Sequence, residues 1–186
     1  MSKREQEVIA QTQQWLRTVV IEHGFCPFAK READAGRVHY AVVGGVGMAN
    51  SLHALVEECE KLDKDDNIET SLVIYPDAFQ RFDDYLDLVA MAEDLLVEQG
   101  YEGIYQVASF HPDYCFEGED EFDASNFTNR SPYPVLHLLR EASLEKALEA
   151  YPGDPEDIPE QNIKRARELG EPALRALFES CFTLKG

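Results

Sequence analysis

The chain has 186 residues, 44% of them hydrophobic, which is enough for one domain with a sizeable core and too apolar for a disordered segment. Its 36 acidic and 17 basic side chains leave a net charge of −19, which argues against nucleic acid and against anionic membranes, since both need a basic face. No apolar run approaches the roughly 20 residues of a membrane span. Met1–Gln6 lacks the apolar segment of a signal peptide, and the scattered cysteines Cys26, Cys59, Cys115 and Cys181 form no CxxC pair. The expectation is a single domain over residues 1–186, in the cytoplasm, with reduced thiols.

Glu5 to His23 reads as the first helix, because Val8, Ile9, Thr12, Trp15, Leu16, Val19 and Val20 recur on one face. Pro27 suits the first position of a short second helix, which would make Cys26 its N-cap. Val38 to Val43 reads as a strand. The glycines after it (Gly44, Gly45, Gly47) have the wrong spacing for a dinucleotide fingerprint and mark a turn. Leu52, Leu55, Val56, Cys59 and Leu62 give the next helix one apolar stripe. Thr70 to Tyr75 reads as the second strand, whose continuous apolar run Leu72-Val73-Ile74-Tyr75, stopped by Pro76, suits a strand covered on both faces. A helix from Phe79 to Gln99 with an acidic solvent face follows, then a strand from Gly103 to Phe110. Helical crossovers of this length imply parallel strands. The expected fold class is therefore α/β: a small layered domain with a mainly parallel sheet of about three strands flanked by helices, and extra C-terminal helices.

Between His111 and Ser131 no periodicity survives, and its acidic middle, Glu117 to Asp123, reads as mobile. Pro134 to about Ala150 reads as a fourth long helix, with Val135, Leu138, Leu139 and Ala142 on one face. Pro152-Gly153-Asp154-Pro155 breaks the chain, and two short helices close it.

Ligands in open parallel sheets collect beyond the C-terminal strand ends. The third strand ends at His111, which suits acid or base catalysis with Asp113 to orient it. The plainer alternative is a strand cap followed by an Asx-turn. Asn129, Arg130 and Ser131 stand before an expected helix N-terminus, a place that favours phosphate or carboxylate. The alternative there is that Ser131 is only an N-cap and Arg130 pairs with the acidic loop. Tyr133 and His137 share a side of the expected helix with Arg140 or Glu141 and so join the ligand-binding set; His137 equally suits a satisfied core histidine. Cys26, as an N-cap, would gain thiolate character and is a third catalytic candidate beside a structural role. Metal binding by His111, Asp113, Cys115 and His137 has no supporting ligand spacing, so no metal ligand is assigned and no cofactor is named.

Phe25-Cys26-Pro27-Phe28-Ala29, Gln106 to Tyr114, Thr128 to Pro134 and Leu136 to Glu141 together resemble an uncharacterised, mostly bacterial family, the domain of unknown function 1415 family. The resemblance covers nearly the whole chain. It implies a single-domain soluble protein and no particular activity. In relatives the Cys115 position is often another polar residue such as glutamine, which weakens Cys115 as ligand or nucleophile. Two functions are expected to compete. The first is a small cytoplasmic enzyme acting on an anionic metabolite by acid/base hydrolysis or group transfer. The second is a non-catalytic module binding a ligand, a metal or a protein partner in the same cleft. A third possibility is that His111, Asp113 and Arg130 form a buried polar network that fixes the long loop.

Overall fold

The computed structural model describes residues 1–183. Strands β1 (Val38–Val42), β2 (Thr70–Ile74), β3 (Tyr105–Phe110) and β4 (Val135–Arg140) form one sheet in the order β1-β2-β4-β3. Helices α1 (Lys3–Trp15), α2 (Ala29–Asp34), α3 (Met48–Lys64), α4 (Phe82–Glu98), α5 (Glu141–Glu149), α6 (Ile158–Leu169) and α7 (Glu171–Ser180) surround it. The α/β class stands, but the sheet is not mainly parallel. Only β1 and β2 run parallel; β4 pairs antiparallel with both β2 and β3.

The difference comes from Val135-Leu136-His137-Leu138-Leu139-Arg140, expected as helix and found as strand. Leu136 and Leu138 pack on one face of the sheet, and Val135 packs on the other. A strand buried on both sides shows no polar alternation, so its apolar run resembles a helix. Arg140 ends β4 and is at once the N-cap of α5, so no loop marks the change. Its guanidinium also donates to Leu62 O (2.6 Å) and Ile68 O (3.0 Å), satisfying a carbonyl in the last turn of α3.

The two faces carry separate cores. On one, α3 and α4 cover Val73, Tyr75, Leu136 and Leu138 with Leu55, Leu62, Leu88 and Leu96. On the other, Leu72, Ile74 and Val135 are covered by Trp15 of α1, Val19 of the segment after it, Phe127 of the long loop, Ala166 of α6 and Leu174 of α7. Tyr85 of α4 replaces a ladder bond where β3 and β4 part: its hydroxyl donates to Val135 O (2.6 Å) and accepts from Phe110 N (2.9 Å). The first helix is not uniform. After Trp15 it widens into a π-helix over Leu16–Ile21, a rare form found frequently at functional sites.

The loop expected as mobile is fastened. Asn126, fully buried, accepts from Phe116 N (3.0 Å) and donates to Asp120 O (2.9 Å), and Arg167 of α6 pairs with Asp123 and Glu119. Gly170 sits at φ 84°, which lets α6 end and α7 begin at one residue.

Candidate functional site

The sheet face toward α1 is not filled everywhere. Between the π-helix, the Phe25–Ala29 turn, α5 and the sheet lies a cavity of about 300 Å³ with mainly apolar walls. Its floor is Thr70, Leu72, Ala108, Phe110, His137 and Leu139, alternate residues of three strands. Leu72 and Ala108 stand on either side of His137 in register. Ala108 is short, so the floor is low there. Trp15, Leu16 and Val20 form one wall, Phe25, Cys26 and Phe28 a second, and Leu144 and Ala147 of α5 a third.

His137 is the main polar group in the floor. Thr70 Oγ1 lies 2.6 Å from Leu138 O and 2.7 Å from His137 Nε2. A hydroxyl has one proton and a carbonyl only accepts, so that proton goes to Leu138 O. The imidazole therefore donates Nε2–H to Thr70 and keeps Nδ1 as an acceptor. Among the described residues Nδ1 meets no hydrogen-bond partner, and it is not one of the sealed, unpartnered polar atoms of the interior; the ring lines the cavity. Burial pushes the His137 pKa down to about 4, so the ring is neutral at pH 7. Cys26 lies in the wall, two residues ahead of the α2 N-cap, which is Phe28 and not Cys26. The helix therefore does not activate the thiol: burial raises its pKa, against weaker opposing effects from the Phe28 and Ala29 amides.

Three donors in the cavity walls are engaged elsewhere. Trp15 Nε1 donates to Arg130 O (2.8 Å), Asn129 Nδ2 to Ser109 O (3.1 Å), and Asn162 Nδ2 to Phe25 O (2.6 Å). At the margin Arg37 bridges the carboxylates of Glu32 and Glu69.

Of the residues singled out in the sequence, the cavity gathers Cys26, Asn129 and His137. His111 lies outside it. The ring is fully buried between Phe82 (5.3 Å) and Tyr85 (5.0 Å). Its Nδ1 accepts from the backbone N–H of Asp113 (3.0 Å), so Nε2 donates to Phe79 O (2.9 Å). The Asp113 amide, not its carboxylate, orients the ring. Burial holds the His111 pKa below its ordinary value, against hydrogen bonding to Phe79 and the charge of Asp113. The residue His111 holds, Phe79, has φ 57°, a strained conformation for a non-glycine.

Arg130 is 8% exposed and also turns to the loop: Nε donates to Tyr114 O (3.0 Å), Nη2 to Glu121 O (2.8 Å), and the guanidinium lies 4.8 Å over Phe127. Ser131, fully buried, donates to Tyr133 O (2.5 Å), and Tyr133 donates to Gln11 Oε1. These residues precede a strand, so the helix N-terminus expected behind them, with its free N–H groups, does not exist. Likewise Tyr133, His137 and Arg140 do not share a helix side.

The sequence reading missed Thr70, Ala108 and the aromatic walls. One signal was available: Thr70 and His137 are polar residues at the apolar core face of adjacent strands. Among the described residues no three His, Cys, Asp or Glu side chains come together as a metal site, and no helix is long and apolar enough to cross a membrane.

A family model described as protein of unknown function (DUF1415) matches residues 7–176 of the chain. A search of curated proteins and a search of solved structures each gave no match.

Proposed function

The chain belongs to the DUF1415 family of proteins of unknown function, and from its cavity we propose that it binds a small, mainly apolar molecule on the sheet face around His137. The observation that carries this is the cavity: about 300 Å³ of mainly apolar space on a floor of three strands, with one acceptor nitrogen that has no partner among the described residues. Binding sites are commonly concave and apolar with a few placed polar groups, and this volume suits a ligand of one or two rings. The π-helix supports the reading, since Leu16 and Val20 of that segment line the wall. An apolar ligand replaces the expected anion because the anion site depended on a helix that is a strand, and because Arg130 donates to loop carbonyls.

The test is a panel of neutral one- and two-ring aromatics, followed by NMR on the wild type and on Ala108→Leu, which raises the floor. Binders should shift the amides of Ala108, His137 and Leu144 in the wild type and lose this effect in the variant. A panel that leaves those amides unmoved at millimolar concentration refutes the reading.

A catalytic reading rests on Cys26 and His137 lining one cavity. At rest this pair is a thiol and a neutral imidazole, not a thiolate and an imidazolium. Alkylation of Cys26 by iodoacetamide separates the two: fast reaction at pH 7 favours catalysis, and reaction only at strongly alkaline pH favours a binding wall.

A further inference from the structure

Resting on that reading, we infer that the ligand carries a neutral hydrogen-bond donor, a hydroxyl or ring N–H on an aromatic frame, which meets Nδ1 of His137. The geometry fixes the direction of this bond. Thr70 gives its proton to Leu138 O and His137 gives Nε2–H to Thr70, which leaves the lone pair on Nδ1 without a partner among the described residues, in a ring that lines the cavity. A ligand carboxylate or phosphate would set one acceptor against another. An ether or ester of the same shape would leave Nδ1 unpaired in a dry site, which costs binding.

The rest of the lining agrees. The nearby donors of Trp15, Asn129 and Asn162 each already serve a backbone carbonyl. Arg140, the cationic side chain in the lining, donates to Leu62 O and Ile68 O and also to Asp65 O and Tyr105 Oη. The acidic side chains in the lining, Glu32 and Glu69, share Arg37 at the margin. Anionic ligands are therefore disfavoured by the acceptor in the floor. A cationic amine would have to leave water for mainly apolar walls, so a neutral donor suits the site better. Thr70 sets the polarity of the site without needing to touch the ligand, and is a positioning residue. Cys26 and the Ser143 hydroxyl of α5 also line the space and serve a donor or an acceptor equally.

The experiment compares three molecules of one shape by calorimetry or NMR titration: 2-naphthol, 2-methoxynaphthalene and 2-naphthoate. The wild type should bind 2-naphthol roughly fivefold or more tightly than the methyl ether, and 2-naphthoate more weakly still. In His137→Leu the preference for 2-naphthol over the ether should vanish. In Thr70→Val the ring can move its proton to Nδ1, and the preference should shrink or invert toward the ether. Because either variant can lose stability, ¹⁵N NMR of the wild-type His137 ring gives an independent reading. It should report Nε2–H in the free protein and a shifted Nδ1 with 2-naphthol. An Nδ1–H tautomer, or an ether or naphthoate bound as tightly as 2-naphthol, overturns the inference and leaves the apolar site standing. Failure of all three to bind overturns the site itself and the inference with it.

Discussion

Replacing Arg130 with methionine keeps an unbranched chain over Phe127 but removes the guanidinium. Two charge-assisted bonds are lost, to Tyr114 O and Glu121 O. Each such bond contributes about 1.5–3 kcal/mol net, and the stacking on Phe127 adds about 1 kcal/mol. Against this, Glu121 is exposed and Tyr114 is half-buried, so water can reach part of what is freed. The expected destabilisation is therefore about 3 kcal/mol rather than the larger sum. Urea unfolding gives the magnitude, with the m-value unchanged if only stability moves. Hydrogen exchange gives the location: amides from Tyr114 to Asn126 should lose protection before those of β2 and β4. Arg167→Ala is the control. It removes the ion pairs to Asp123 and Glu119 from a half-exposed side chain, and should cost less than about 1 kcal/mol. A loss below about 1 kcal/mol for Arg130→Met, with loop protection intact, would refute the view that Arg130 fastens the loop.

Three further outcomes follow from buried polar groups. Tyr85→Phe leaves Val135 O and Phe110 N without their partner at the end of the β3–β4 ladder, and should cost about 2 kcal/mol by thermal or urea unfolding; a neutral result would mean water replaces the hydroxyl. Glu58, buried, accepts from the fully buried Ser71 hydroxyl (2.7 Å) and pairs with Lys61. Glu58→Leu should therefore be strongly destabilising, and adding Ser71→Ala should recover about 1 kcal/mol or more; strict additivity of the two changes would contradict the coupling. Acid should also weaken the fold. His137 is held down to about 4 and His111 below its usual value, whereas unfolded histidines titrate at about 6.5. Between those values the unfolded chain binds more protons, so stability is full above pH about 6.5 and declines toward pH about 4. His137 alone contributes on the order of 3 kcal/mol to this decline. Unfolding at pH 7.5, 6 and 5 should show a flatter slope for His137→Leu; identical slopes would refute the assignment.

The class of fold was legible because Val38–Val43 and Thr70–Tyr75 are short runs closed by glycine and by proline, and the stripes of the second and third long helices have a clear helical period. The fourth strand was not, for a physical reason. Val135 to Leu139 is apolar on both faces apart from His137, begins after a proline that also suits a helix, and runs into α5 without a turn. That one strand makes the sheet mixed and takes away the helix N-terminus on which the expected anion site was argued. The density of His, Asp, Asn, Arg and Ser from His111 to Ser131 was correctly seen as unusual. Its hydrogen bonds run to backbone groups inside the loop and to Phe79. Polar residues in a long loop serve chemistry or hold the loop, and the sequence shows the residues without the partners that decide between them. The cavity was illegible for the opposite reason. Its walls are ordinary apolar residues from separated stretches, and an unfilled space between them leaves no mark in composition or spacing.

The position of β4 between β2 and β3 has a consequence for synthesis. The strand that joins the sheet is made last, 25 residues after β3 ends if counted from Phe110 to Val135. At ribosomal rates of about 5–20 residues per second, β3 waits roughly 1–5 seconds with no neighbour to pair with. During that interval β1, α3 and β2 can assemble as a parallel unit, but the facing edges of β2 and β3 stay open to strands of other chains. Nascent chains stalled before Val135 should therefore be aggregation-prone and lack the apolar cavity, because His137 and Leu139 complete its floor.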